Sequence, residues 1–83
     1  MKVLIIDDER LAREELKSML EQFDFIQIVG EANNPVEGIK LIEELDPDLI
    51  FLDIQMPGMT GFEMLQKLDE IPQVIFVSAY DEF

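Results

Sequence analysis

Apolar residues fall into two alternating patterns along the chain. Lys2–Ile6 (KVLII), Leu49–Leu52 (LIFL) and Val74–Val77 (VIFV) are continuous apolar runs, as in strands covered on both faces of a sheet. Phe25–Val29 (FIQIV) alternates around Gln27 and reads as an edge strand that Gly30 ends. Between these runs the period lengthens. Ala12, Leu16, Met19, Leu20 and Phe23 recur at helical spacing, with Glu14, Lys17 and Glu21 on the other faces. Asp8 stands where an N-cap belongs. A second helix opens with Asn34 as cap, Pro35 in the first turn and Glu37 completing a capping box, and Asp46-Pro47 stops it after Leu45. Thr60 and Glu63 repeat the capping logic at the start of TGFEMLQKL, and Pro72 breaks the chain before the last run.

Strand–helix alternation of this kind predicts an α/β fold, a doubly wound parallel sheet with right-handed crossovers. The alternating run belongs at one edge, which gives the strand order 2-1-3-4, with three helices.

Composition narrows the chemistry. Eighty-three residues make one small domain or part of one, and 48% hydrophobic content is enough for a core. The chain has neither cysteine nor histidine, which removes disulfides, thiolate metal sites and the commonest zinc ligand. Its 19 acids against 6 bases give a net charge of −13. That field disfavours nucleic acid and anionic membrane surfaces and attracts hard cations or a basic partner. No segment reaches the roughly 18 apolar residues of a membrane span. The start, MKVLIID, lacks a signal-peptide pattern, so a cytoplasmic location is expected.

Ligands of doubly wound sheets bind beyond the carboxyl ends of the strands, where the connections diverge. Asp7 and Asp8 follow the first strand, Asp53 the third and Ser78 the fourth. Taken singly, Asp8 reads as a helix cap, Asp7 equally as cap or ligand, and Ser78 as a strand-end hydroxyl. Met56, Met59 and Met64 read as packing residues, and Glu14-Glu15 and Glu43-Glu44 as solvated faces. Asp53 is different, because an apolar run precedes it and Met-Pro-Gly follows. Carboxylates gathered at one strand end repel one another unless a cation joins them, and an all-oxygen set selects an ion such as Mg²⁺. A carboxylate beside Mg²⁺ and a phosphoryl donor can act as a nucleophile and form an acyl phosphate.

VLIIDDE, LIFLDIQMPGMTG and VIFVSA, in this order and spacing, resemble the receiver domain of two-component response regulators. DDERLAREEL and SAYDEF further resemble receivers joined to a LytTR-type DNA-binding domain. The resemblance implies a flavodoxin-like sheet with Asp53 as phosphoacceptor, charged from a phosphohistidine on a sensor histidine kinase. It implies that Asp7, Asp8, Asp53 and the backbone carbonyl of Gln55 hold Mg²⁺. Pro57 and Gly58 would shape the adjoining loop, Gly61 the turn into the next helix, and Ser78 would be the switch hydroxyl. Ala79 would leave the phosphate path open, with Tyr80 at its entrance.

Family members continue with a fifth strand, two further helices and a lysine that contacts the phosphoryl group. Residues 1–83 are therefore expected to form a partial receiver domain, truncated to four strands and three helices, with impaired activity. Lys40 and Lys67 fall on helices and are poor replacements for that lysine. The fourth strand is expected to be an exposed edge through which the chain self-associates. The resemblance further implies a phosphoryl acceptor rather than a turnover enzyme. It places DNA binding in another domain of the full protein, with no direct nucleic acid contact by this segment. A scaffold fragment without signalling chemistry is one alternative. A Mg²⁺-dependent aspartyl phosphatase is another, although Gln55 stands where the second carboxylate of its Asp-x-Asp pattern belongs.

Overall fold

The computed structural model describes residues 1–77. Ser78, Ala79 and Tyr80, each given a role by the resemblance, lie outside the described residues. The elements run β1 (Lys2–Ile6), α1 (Arg10–Leu20), β2 (Gln27–Ala32), α2 (Pro35–Leu45), β3 (Leu49–Asp53), α3 (Gly61–Leu65) and β4 (Gln73–Val77). The strands pair in parallel in the order β2-β1-β3-β4, as the apolar pattern predicts.

Alternate residues of β1 explain why it lies inside the sheet. Leu4 and Ile6 face a core shared with Ile42 of α2 and Met64 of α3, along with Ile50, Leu52 and Met56. Val3 and Ile5 face the other side, where Leu20 of α1 and Leu49 close a second core. A strand buried on both faces must be apolar throughout, and every one of these β1 residues is at most 1% exposed. Met56 and Met64 are buried, so they are packing residues as the pattern suggests.

The structure corrects β2. It runs from Gln27 to Ala32, and Gly30 lies inside it rather than ending it. Pairing jumps from Val3↔Ile28 to Leu4↔Gly30, a bulge that accommodates one additional residue. A Cβ at position 30 would come within 3.2 Å of Leu45 and 3.3 Å of Leu4, so the glycine lets α2 settle on the strand. Phe25 stays outside the sheet and meets Phe23 edge-on at 5.8 Å, both rings exposed.

Helix starts follow local hydrogen bonding. Asp8 does not cap α1: the N-cap is Glu9, which makes no side-chain cap bond. The Glu9 N–H instead donates to Asp7 Oδ1 at 2.9 Å, so the turn is built by the preceding carboxylate. Asn34 caps α2 through Glu37 N–H, but among the described residues the reciprocal half of the box is not made. Asp46, left-handed at φ 49°, closes that helix. Thr60 and Glu63 form both halves of their capping box, at 3.1 and 2.9 Å. The helix they start is short, and past Leu65 the chain continues in turns.

Among the described residues β4 pairs on one side only, with β3. Val74 packs against the α2/α3 core, whereas Ile75 and Phe76 are exposed, Phe76 lying 4.7 Å from the ring of Phe62. Among the described residues no helix is long and apolar enough to cross a membrane.

Candidate metal and phosphoacceptor site

Register brings the acids together. Ile6 pairs with Leu52, so the next residues, Asp7 and Asp53, emerge side by side at the carboxyl end of the sheet. Asp8 follows in the turn into α1. One carboxylate oxygen from each of Asp7, Asp8 and Asp53 lies within 4.8 Å of the other two. Three of the residues that the sequence singles out are thus brought together.

Each acid is held differently. Asp7 is buried, at 7% exposure, and its polar groups are tied on several sides. Its N–H donates to Ala32 O at 3.0 Å, extending the β1–β2 ladder. Its carbonyl accepts from Arg13 Nη1 at 2.9 Å, and its Oδ1 takes the Glu9 N–H. Asp53 is half-buried, and its Oδ1 accepts a long bond of 3.3 Å from Gln55 N–H. Gln55 therefore touches the cluster through its N–H. Asp8 is half-buried beside Asp53.

This crowding raises the Asp53 carboxyl from 3.8 to about 7. Burial is the largest cause, the Asp7 charge next and the Asp8 carboxyl third, while the Gln55 N–H works in the opposite sense. None of the ion pairs among the described residues reaches these three acids. A hard divalent cation fits such a set: all-oxygen donors, crowded and uncompensated. Asp7, Asp8 and Asp53 are the residues that would hold it.

The loop after β3 is shaped around the site. Gly58 has φ 86° with open space around it, while Gly61 packs against the strand end and donates its N–H to Ile54 O at 2.8 Å. Met56 anchors the loop in the core. A groove of about 660 Å³, lined by Ile42, Pro47, Leu68, Ile71 and neighbouring acids, lies at the opposite end of the sheet. Among the described residues the one group of three acids close enough to share a metal ion lies at the strand ends and not in that groove.

Arg13 and Glu31 are the residues that sequence patterning misses. Arg13 Nε donates to Glu31 Oε1 and Lys17 Nζ to Glu31 Oε2, each at 2.7 Å. These bonds, that of Lys17 first and of Arg13 second, hold the Glu31 carboxyl below the usual range. One signal was available: a cation near the start of α1 sits against the helix dipole.

Comparison with known proteins agrees with the geometry. The pattern described as "Response regulator receiver domain" matches residues 3–83. A transcriptional regulatory protein of Escherichia coli K12, BtsR, is 51% identical across the whole chain, which corresponds to 36% of its length. An uncharacterized response regulatory protein of Vibrio cholerae is 49% identical, again across the whole chain and 36% of its own length. The chain thus spans about a third of the length of the curated relatives it matches. Among solved structures, the response regulator domain of Thermotoga maritima CheB superimposes with a TM-score of 0.86 at 34% identity, covering 95% of this chain and 60% of that one. With the sheet order, the strand-end acids and these likenesses in agreement, the chain belongs to the response regulator receiver domain family.

Proposed function

We propose that Asp53 is a phosphoacceptor, charged by a sensor histidine kinase, with Asp7, Asp8 and the Gln55 carbonyl holding Mg²⁺ beside it. The observation that carries this reading is the meeting of three carboxylates at the carboxyl ends of adjacent parallel strands. In the transfer, an Asp53 oxygen attacks phosphorus, the phosphorus–nitrogen bond of the phosphohistidine breaks, and the imidazole leaves with the electron pair. Bound Mg²⁺ supplies charge neutralisation at the oxygens of the transferred group. Asp7, pinned through its backbone and one carboxylate oxygen, presents a fixed ligand. Asp53 is more open and keeps an oxygen for attack. Ser78 would supply the switch hydroxyl.

Residues 1–83 are then the N-terminal part of a receiver, a reading supported by their coverage of 60% of the CheB domain. The larger protein would be a transcriptional regulator, as the name of BtsR suggests; its DNA contacts would lie in another domain and its location would be cytoplasmic, as the sequence resemblance implies. The LytTR-type reading of that domain rests on DDERLAREEL and SAYDEF alone. A turnover phosphatase is disfavoured, since position 55 carries glutamine in place of a second acid.

Intact mass after incubation with Mg²⁺ and a small acyl-phosphate donor tests the acceptor. A single phosphoryl adduct is expected on the wild type and none on Asp53→Asn. An adduct that persists in the variant would sink the assignment.

Self-association through β4 is the further part of the proposal, supported by exposed Ile75 and Phe76 on a strand paired on one side. Sedimentation velocity should show a concentration-dependent dimer that Ile75→Lys abolishes. A wild-type chain that stays monomeric at high concentration removes this part alone.

A further inference from the structure

We infer that Arg13 is a positioning residue for the acceptor site: its guanidinium holds the Asp7 carbonyl and so fixes the Asp7–Asp8 turn against β2. This role rests on the acceptor-site reading above.

Arg13 lies on α1, yet its side chain is only 14% exposed. Its fork spans two other elements. Nη1 donates to the Asp7 carbonyl at 2.9 Å, and Nε donates to Glu31 of β2 at 2.7 Å. Lys17, one helical turn on, holds the other Glu31 oxygen. Asp7 is thereby tied to β2 twice, directly through its N–H on Ala32 O and indirectly through Arg13 and Glu31.

Charge does not explain why the cation there is an arginine, since Lys17 pairs with the same carboxylate at the same distance. A positive charge near a helix N-terminus opposes the dipole, and a guanidinium on the Asp7 backbone repels the cation that the acids would bind. What the arginine adds is geometry. Its planar fork donates from fixed directions to two acceptors on different elements, which a lysine ammonium on a flexible stem does not reproduce. Metal ligands need such outer partners, because a displaced ligand loses affinity even when its own chemistry is intact.

Arg13→Lys and Glu31→Gln separate this role from simple stabilisation. The first keeps the charge and loses the fork; the second removes the charge of the pair but keeps the Asp7 carbonyl bond and an amide oxygen to accept from Nε, so the tether to β2 stays. Calorimetric titration with Mg²⁺ should show affinity about tenfold lower for Arg13→Lys, with less than about a twofold change for Glu31→Gln. In the metal-free protein, the Asp8 amide resonance, next to the Asp7 carbonyl, should move in Arg13→Lys and stay in Glu31→Gln. Wild-type Mg²⁺ affinity in Arg13→Lys, or both changes reproduced by Glu31→Gln, would overturn the inference. A wild-type chain that binds no Mg²⁺ removes the acceptor-site reading. The metal-free Asp8 resonance then decides Arg13 by the same comparison. Arg13→Gln repeats the series should the lysine variant unfold, and unfolding of both with Glu31→Gln intact would mark Arg13 as structural only.

Discussion

Asp53→Asn is expected to stabilise the metal-free protein at pH 8 by about 1–2 kcal/mol, against the usual destabilising trend of substitutions. The cause is burial first and the neighbouring Asp7 and Asp8 carboxylates second. Asp53 is half-buried within 4.8 Å of the Asp7 and Asp8 oxygens, and its carboxyl is raised from 3.8 to about 7. A raised folded-state value means that the native state holds the proton more tightly than the unfolded chain. The corresponding stability is fully present below 3.8 and is lost as pH rises through about 7. At about 1.36 kcal/mol per unit the whole shift would approach about 4 kcal/mol, but partial exposure screens the charges and reduces it. Asparagine keeps the shape and an oxygen for the Gln55 N–H while removing the charge. Urea unfolding in EDTA should therefore show the wild type weakening from pH 4 to pH 8 more steeply than the variant. Mg²⁺ should reverse the ranking at pH 8, since binding to the native state stabilises only the chain with an intact site. A variant less stable than wild type at pH 8 in EDTA would mean that the acids do not repel in solution as their positions imply.

The site was legible in the sequence for a topological reason. Parallel strands side by side deliver their carboxyl ends to one edge, so an acid after each of two central apolar runs suffices to bring Asp7 and Asp53 together. Neither capping nor loop detail was needed. What failed was what depends on contacts between elements. Gly30 looks like a strand terminator, and only the packing of Leu45 and Leu4 on it shows why the strand passes through. Asp8 looks like a cap, yet Asp7, held by Ala32 and Arg13, takes the Glu9 N–H first. Arg13 itself escaped notice because its partners lie 6 and 18 residues away, on elements whose relative placement no local period encodes.

Gly61→Ala should cost about 2–3 kcal/mol and weaken Mg²⁺ binding, although alanine is the better helix former. Gly61 opens α3, where alanine would gain about 1 kcal/mol of propensity. Against that gain stands a Cβ placed 2.5 Å from the backbone oxygen of Asp53 and 3.1 Å from Leu52 Cγ. The oxygen belongs to the end of a central strand and cannot swing aside as a side-chain tip can. The Thr60 capping box and the Gly61 N–H bond to Ile54 O fix the helix start from the other side. Relief must come from separating the loop from β3, and that moves Asp53 relative to Asp7. Gly58 supplies the control. It has φ 86° but nothing within 4 Å of an added Cβ, so Gly58→Ala carries only a conformational cost of about 1 kcal/mol. Urea unfolding should rank Gly61→Ala well below Gly58→Ala, and Mg²⁺ titration should show lost affinity for the first alone. Equal costs, or unchanged affinity in Gly61→Ala, would show that the strand end yields freely and that Gly61 does not set the position of the acceptor.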